Sequence, residues 1–423
     1  MFFSLPATAA PPNIVIIVSD DHAWTDYGFM GHPQVATPHL DRLASESLAF
    51  RNGYVPSSLC CPSLATVITG LYPHQHGITG NDPAVDRSGG GGAFTRTPEF
   101  REGRERMKQL IRKVPTLPRL LGDSAGYRSL QTGKWWLGSH ADGGFTEGMT
   151  GGDPGKGGRH GDAGLKIGRA GMEPIYDFIR RSKAANDPFM VWYAPLLPHD
   201  PHTPPEALLA KYRDKVKSIH VARYLAMVEW FDQTCGELLG FLDREELADD
   251  TVVVYLADNG WIQSPDNPKF APRSKQSPYD GGLRTPILLR WPGKITPGLP
   301  ETPVSSIDLM PTLLKIAGVA VPKGCPGIDL LDPEAVAARG PVFGDCYDHD
   351  ILNFDKPAES LKWRWCRRGD WKLILPTSRV PDSGPGLYHL GKDPMEKHNL
   401  ADQEPARLRE LTGLLDHWWN PFP

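Results

Sequence analysis

Two acidic clusters sit at the ends of apolar runs. Asn13-Ile14-Val15-Ile16-Ile17-Val18-Ser19 leads into Asp20-Asp21-His22, and Thr251-Val252-Val253-Val254-Tyr255-Leu256-Ala257 leads into Asp258-Asn259-Gly260. Adjacent carboxylates repel each other unless a cation lies between them. Carboxylate and amide oxygens without a matching His/Cys set suit a hard ion, Ca²⁺ or Mg²⁺, rather than zinc. Either motif alone reads equally well as a turn or a helix cap. Both at strand ends favour a metal held by Asp20, Asp21, Asp258 and Asn259. A third segment, Ser58-Leu59-Cys60-Cys61-Pro62-Ser63, precedes an apolar stretch that ends near Gly70. Pro62 suits the first position of a helix. Cys60 then falls just before a helix N-terminus, where the dipole favours an anion. Two buried cysteines heading a core helix give the same spacing.

These residues need a scaffold that brings strand ends together. The runs at 13–19, 189–194 and 251–257 are continuous, apolar and rich in β-branched or aromatic residues, as strands buried on both faces are. Helical patterns at about 38–47, 116–124, 171–183 and 221–242 lie between them. The alternation predicts an α/β domain, its largely parallel sheet sandwiched by helices. In such sheets ligands bind outside the carboxyl ends of the strands. The texture changes near Pro341. Residues 363–367 and 371–375 read as antiparallel strands around a Gly369-Asp370 turn. Residues 387–390 read as a third strand and 405–419 as a closing helix. The expected organisation is a loose or signal-derived terminus at 1–12, a catalytic domain at 13–340 and a small C-terminal α+β domain at 341–423.

The chain has 423 residues, 46 basic against 50 acidic, for a net charge of −4. No overall basic field draws it to nucleic acid or anionic lipid. No apolar run reaches the length of a spanning helix. The 44 glycines and 42 prolines stop short of low-complexity disorder. Glycine-rich, aperiodic segments at 88–92 and 142–168 read as solvated excursions or as substrate-gating loops. Six cysteines, two of them adjacent, make no disulfide framework. Residues 2–10 are apolar and end in small residues, but they are short and lack a positive n-region. A truncated signal implies a periplasmic or secreted location; a loose terminus leaves a cytoplasmic one open.

Cys60, Pro62, Ser63, Thr69 and Gly70 fill a Cys-x-Pro-Ser-x-x-x-x-x-Thr-Gly pattern that resembles the signature of type I sulfatases, in the alkaline phosphatase-like superfamily. The resemblance runs along nearly the whole chain. Residues 13–21 look like the family's opening strand and metal pair. Gly133-Lys134-Trp135-Trp136-Leu137-Gly138 is similar to its Gly-Lys-Trp-His-Leu-Gly segment. Pro198-His199-Asp200-Pro201, Ala257-Asp258-Asn259-Gly260 and Lys275-Gln276-Ser277-Pro278-Tyr279-Asp280-Gly281-Gly282 follow in the family's order, as do Ile307–Thr312 and Asp393–Leu400. Each is weak alone; their collinearity is strong.

The resemblance implies hydrolysis of a sulfate ester, with a sulfated carbohydrate as the expected substrate. It implies Ca²⁺ held by Asp20, Asp21, Asp258, Asn259 and residue 60 itself. It also implies that a formylglycine-generating or maturase enzyme converts Cys60 to formylglycine, whose hydrated aldehyde is the nucleophile. Lys134, Lys275 and His199 would surround the sulfate with positive charge, and His202 and His140 would contact substrate. Two departures stand out. Leu64 occupies the place of the family's arginine, and Trp136 that of its histidine. Either His140, His76 or His160 compensates, or conversion and turnover are impaired. Two other readings follow: a phosphoester hydrolase on the same scaffold, and an impaired protein that binds sulfated glycans.

Overall fold

The structure, a computed structural model, describes residues 11–88, 92–152 and 159–422. The apolar stretch 2–10 lies outside the described residues, as do 89–91 and 153–158 within the two glycine-rich segments. In chain order the strands are β1 (Asn13–Ser19), β2 (Leu48–Tyr54), β3 (Asp82–Pro83), β4 (Arg128–Gly133), β5 (Glu147–Gly148), β6 (Phe189–Ala194) and β7 (Thr251–Ala257). They continue as β8 (Arg284–Arg290), β9 (Val304–Ser305), β10 (Val342–Tyr347), β11 (Asp350–Ile351), β12 (Leu361–Arg368), β13 (Trp371–Pro376) and β14 (Gly386–His389).

The most apolar runs occupy the middle of an eight-stranded sheet ordered β5-β4-β6-β1-β7-β8-β2-β9. From β5 to β7 neighbours pair parallel; β8 alone runs antiparallel to β7 and β2. Alternation along β1 explains its composition. Ile14, Ile16 and Val18 enter one core with Val67, Ile68 and Leu313, whereas Val15 and Ile17 enter another with Phe178, Met227 and Phe231. Both faces are therefore covered, and a polar residue on either side would be buried.

The helices Pro38–Ser45, Leu117–Ala125, Glu173–Ala185 and Ile219–Arg244 match the helical patterns to within two or three residues at each end. The helix Pro98–Lys113 had no counterpart in the sequence reading. The helix at the cysteine motif also differs from expectation. It spans Cys60–Thr69, so Cys60 lies inside its first turn and Pro62 two positions further in. Leu59 is extended at the N-cap and its carbonyl accepts from Ser63 N, while the first-turn amide of Cys61 donates to the Asn81 side chain at 2.9 Å. That external acceptor is what permits the earlier start.

The C-terminal sheet is antiparallel, β10-β12-β13-β14. Arg368 pairs with Trp371 across the expected Gly369-Asp370 turn, with Gly369 at φ 57°. Its outer face packs Cys366, Leu373 and Leu387 against Leu411 and Leu415 of the helix Pro405–Trp418. Its inner face grips the segment after β2: Trp365 Nε1 and Asp345 N both donate to the Pro56 carbonyl.

Candidate active site

Parallel pairing sends the carboxyl ends of β4, β6, β1 and β7 to one rim. That rim therefore receives Lys134, the 195–199 turn with His199, Asp20 with Asp21, and Asp258 with Asn259. β2 reaches the same rim through two antiparallel steps and delivers Cys60. The 261–279 loop delivers Lys275, and Gln276 N donates to Ser58 O at 3.0 Å, fastening that loop beside the cysteine.

The contacts are tight. Lys134 Nζ lies 2.6 Å from Asp20 Oδ1 and 3.2 Å from Cys60 Sγ. Lys275 Nζ lies 2.6 Å from Asp21 Oδ1. His199 Nε2 is 3.4 Å from Asp21 Oδ2, and Asn259 Nδ2 donates to Asp21 Oδ1 at 2.7 Å. Asp21 adopts φ 63°, a left-handed backbone costing about 1–3 kcal/mol in a non-glycine residue. The turn lets its amide donate to Asp258 Oδ1 at 3.1 Å.

The electrostatics call for one more cation. Three buried carboxylates, Asp20, Asp21 and Asp258, face two buried ammonium groups. Burial, with Asp20 beside it, pushes the Asp258 carboxyl well above the usual range. Burial acts the same way on Asp21, but Lys275, His199 and Lys134 overcome it and hold that carboxyl well below. Among the described residues Asp20 Oδ2, Asp258 Oδ2 and Asn259 Oδ1 are buried without a hydrogen-bond partner. One donor atom each from Asp20, Asp21, Cys60 and His199 falls within 4.8 Å of the others. The three orphaned oxygens of Asp20, Asp258 and Asn259 fit a hard divalent ion. A second group, Asp82, His349 and Asp350, is instead neutralised by Arg159, Arg87 and Arg104.

Cys60 is 1% exposed, and burial lifts its thiol to about 12 despite Lys134. As a thiol it is no nucleophile near neutrality. Burial also holds the His199 imidazole below its ordinary range, against the pull of Asp20.

The other expected residues fall differently. His202 lies edge-on to Tyr224 and Trp261, its Nε2 buried and unpartnered among the described residues. His140 bonds the Thr150 carbonyl and, among the described residues, makes no hydrogen bond to the Lys134–Cys60–Asp21 group. His76 is fully used: Nδ1 accepts from Ile78 N and Nε2 meets Thr66 Oγ1. His160 lies against Trp136 with ring centres 4.1 Å apart and the planes tilted by 44°. The sequence reading missed Arg104 and Asn81. Buried Arg104 donates to the carbonyls of Asn81, Trp136 and Arg159, binding the Lys134 segment to the loop that receives the Cys61 amide. Its signal was the inward spacing Phe100, Arg104, Met107, Ile111. Two other cavities, of about 550 and 510 Å³, are lined by Phe50, Ile295 and Leu330 and by Tyr72, Phe343 and Trp418; neither holds such a cluster.

A buried cysteine at a helix N-terminus, set among two ammonium groups, an imidazole and three carboxylates, suits chemistry on a small anionic ester once a cation joins them. A family model described as Sulfatase matches residues 12–319, and one described as N-sulphoglucosamine sulphohydrolase, C-terminal, matches 273–415. Human N-acetylgalactosamine-6-sulfatase is 29% identical, the match covering 92% of this chain and 82% of that one. Human arylsulfatase A is 27% identical, covering 96% and 88%. A solved structure described as a complex with its substrate D-glucosamine-2-N,6-O-disulfate superposes with a TM-score of 0.73 at 20% identity, covering 96% and 97%. The chain belongs to the sulfatase family. It has the alkaline phosphatase-like fold and is a sulfuric ester hydrolase.

Proposed function

We propose that this sulfatase removes sulfate from a carbohydrate, using a nucleophile derived from Cys60 and a calcium ion held by Asp20, Asp21, Asp258 and Asn259, with residue 60 facing the ion. The observation that carries this reading is the set of three orphaned oxygens around Asp21, beside a cysteine hydrogen-bonded to Lys134. The carbohydrate is supported by the names of the relatives above. Conversion by a formylglycine-generating or maturase enzyme would supply at residue 60 a hydrated aldehyde, a nucleophile that releases sulfate without a second attacking group. The calcium ion would supply positive charge to the sulfate oxygens. Lys134 and Lys275, held protonated by Asp20 and Asp21 although burial opposes it, add fixed positive charge to the same point. His199, whose protonated form Asp20 and Asp21 favour against burial, gives the proton to the leaving alcohol oxygen, and His202 and His140 are assigned to the substrate side of the rim. Residues 13–340 act as the catalytic domain and 341–423 as a small domain that braces the segment carrying Cys60. The apolar stretch at 2–10 supports a periplasmic or secreted location; no helix of the described residues is long and apolar enough to cross a membrane.

The test uses enzyme co-expressed with a formylglycine-generating enzyme. Wild type is expected to hydrolyse an aryl sulfate and to gain several degrees of melting temperature from calcium. Asp258→Ala is expected to lose both the turnover and the calcium-dependent gain. Equal calcium stabilisation of wild type and Asp258→Ala would remove the metal assignment. Faster turnover of an aryl phosphate than of the sulfate would overturn the reaction.

A further inference from the structure

Near Lys134 two nitrogen groups are buried without partners among the described residues. Trp136 is 4% exposed, and its indole Nε1 has no acceptor among the described residues. His160 Nε2 is likewise buried and unpartnered. Buried polar atoms are nearly always satisfied, so two adjacent exceptions mark a place where something else bonds. The indole ring centre is 5.9 Å from Lys134 Nζ, which itself bonds Cys60 Sγ.

The arrangement is built, not incidental. Trp135 N donates to His160 O at 2.6 Å, tying the two segments backbone to backbone. A Cβ at Gly161 would sit 2.5 Å from Gly133 O, and one at Gly164 would sit 2.8 Å from the same oxygen. Glycine at both positions therefore lets the 159–164 loop lie directly on the end of β4. Arg104 fixes both halves from below through the Trp136 and Arg159 carbonyls. Burial, reinforced by Arg159 and Lys134, lowers the His160 imidazole to about 2, so it is neutral.

We propose that Trp136 Nε1–H and His160 Nε2–H form a two-donor wall that binds oxygens of the sulfate group, so that Trp136 is a substrate-contacting residue. This rests on the sulfate-ester reading. An indole N–H only donates, and sulfate oxygens only accept, so the chemistry matches in sense. For a sulfate seated at residue 60, neutral donors add grip without adding repulsion between cations.

The experiment measures the affinity of the calcium-loaded, converted enzyme for inorganic sulfate by calorimetry, alongside aryl sulfate kinetics. Trp136→Phe keeps the ring and deletes the N–H; His160→Gln keeps a donor, and His160→Ala removes it. Loss of a hydrogen bond to a charged partner predicts a sulfate Kd raised about tenfold or more by Trp136→Phe and by His160→Ala. His160→Gln is expected to stay within about threefold of wild type. Wild-type sulfate affinity in Trp136→Phe, with its melting temperature preserved, would overturn the proposal. So would a loss confined to glycan substrates, which would assign the donors to sugar hydroxyls. Sulfate binding by wild type without any aryl sulfate turnover would sink the enzymatic reading while leaving the donor wall in place.

Discussion

Cys60 and Cys61 are chemically identical neighbours with different surroundings. The Cys60 sulfur receives a hydrogen bond from Lys134. Cys61 is wholly buried in the core, its amide held by Asn81 and its thiol pushed up by burial. Cys60→Ser is therefore expected to lower aryl sulfate turnover by at least about a thousandfold, as removal of a nucleophile does. Cys61→Ser is expected to keep turnover within about threefold and to cost about 1–3 kcal/mol of stability for a buried hydroxyl. An aryl sulfate assay and denaturant titration read both effects; loss of activity in Cys61→Ser at full stability would reverse the assignment. At this scale Asp20, Asp21, Asp258 and Asn259 stand out at the ends of apolar strands, whereas Lys134, His199 and Lys275 follow only from the family resemblance; the fold brings all of them close to one another. Arg104 and Asn81 were not legible, because they act through backbone carbonyls and amides, and a sequence does not print which carbonyl a guanidinium meets.

Elements of continuous apolar character were legible almost to the residue. β1, β6 and β7 are buried on both faces, so every position carries the signal. β4 and β8 escaped notice because Arg128-Ser129-Leu130-Gln131-Thr132-Gly133 and the proline-bearing Arg284–Arg290 mix polar and apolar residues at positions that tertiary packing decides. The helix Cys60–Thr69 is buried along its whole length, and His76 from the next short helix pins it through Thr66. Burial lowers the His76 imidazole to about 3 from an unfolded value near 6.5. A depressed folded value means stability is complete above about pH 6.5 and is lost as the pH falls toward 3, because only the unfolded chain takes up the proton. The melting temperature is expected to fall across that window. His76→Gln is expected to flatten the fall by about one proton's worth of slope; an unchanged slope would exclude His76 as a source.

Across the molecule, the two sheets are joined by buried charge. Lys372 of β13 lies 2.8 Å from both Asp280 and Glu396, all three nearly inaccessible, and Tyr54 at the end of β2 donates to Asp280. Burial, aided by Asp280 and opposed by Lys372, lifts Glu396 to about 7. Deleting the ammonium leaves carboxylates uncompensated, so Lys372→Met is expected to cost roughly 3–5 kcal/mol. Chemical denaturation measures it, and the Lys372→Met/Asp280→Asn/Glu396→Gln triple variant is expected to recover part of the loss. A cost below about 1 kcal/mol in the single variant would show that the network carries little weight. Residues 341–423 thus hold in place the strand end that runs into the cysteine motif. The burial of Cys60 also has a meaning in time. A side chain sealed under Lys134 and backed by a second sheet is out of reach of any other protein once the chain has closed. The conversion proposed for Cys60 would therefore have to take place between synthesis and folding, and a molecule that folds first would keep its thiol until it unfolds again.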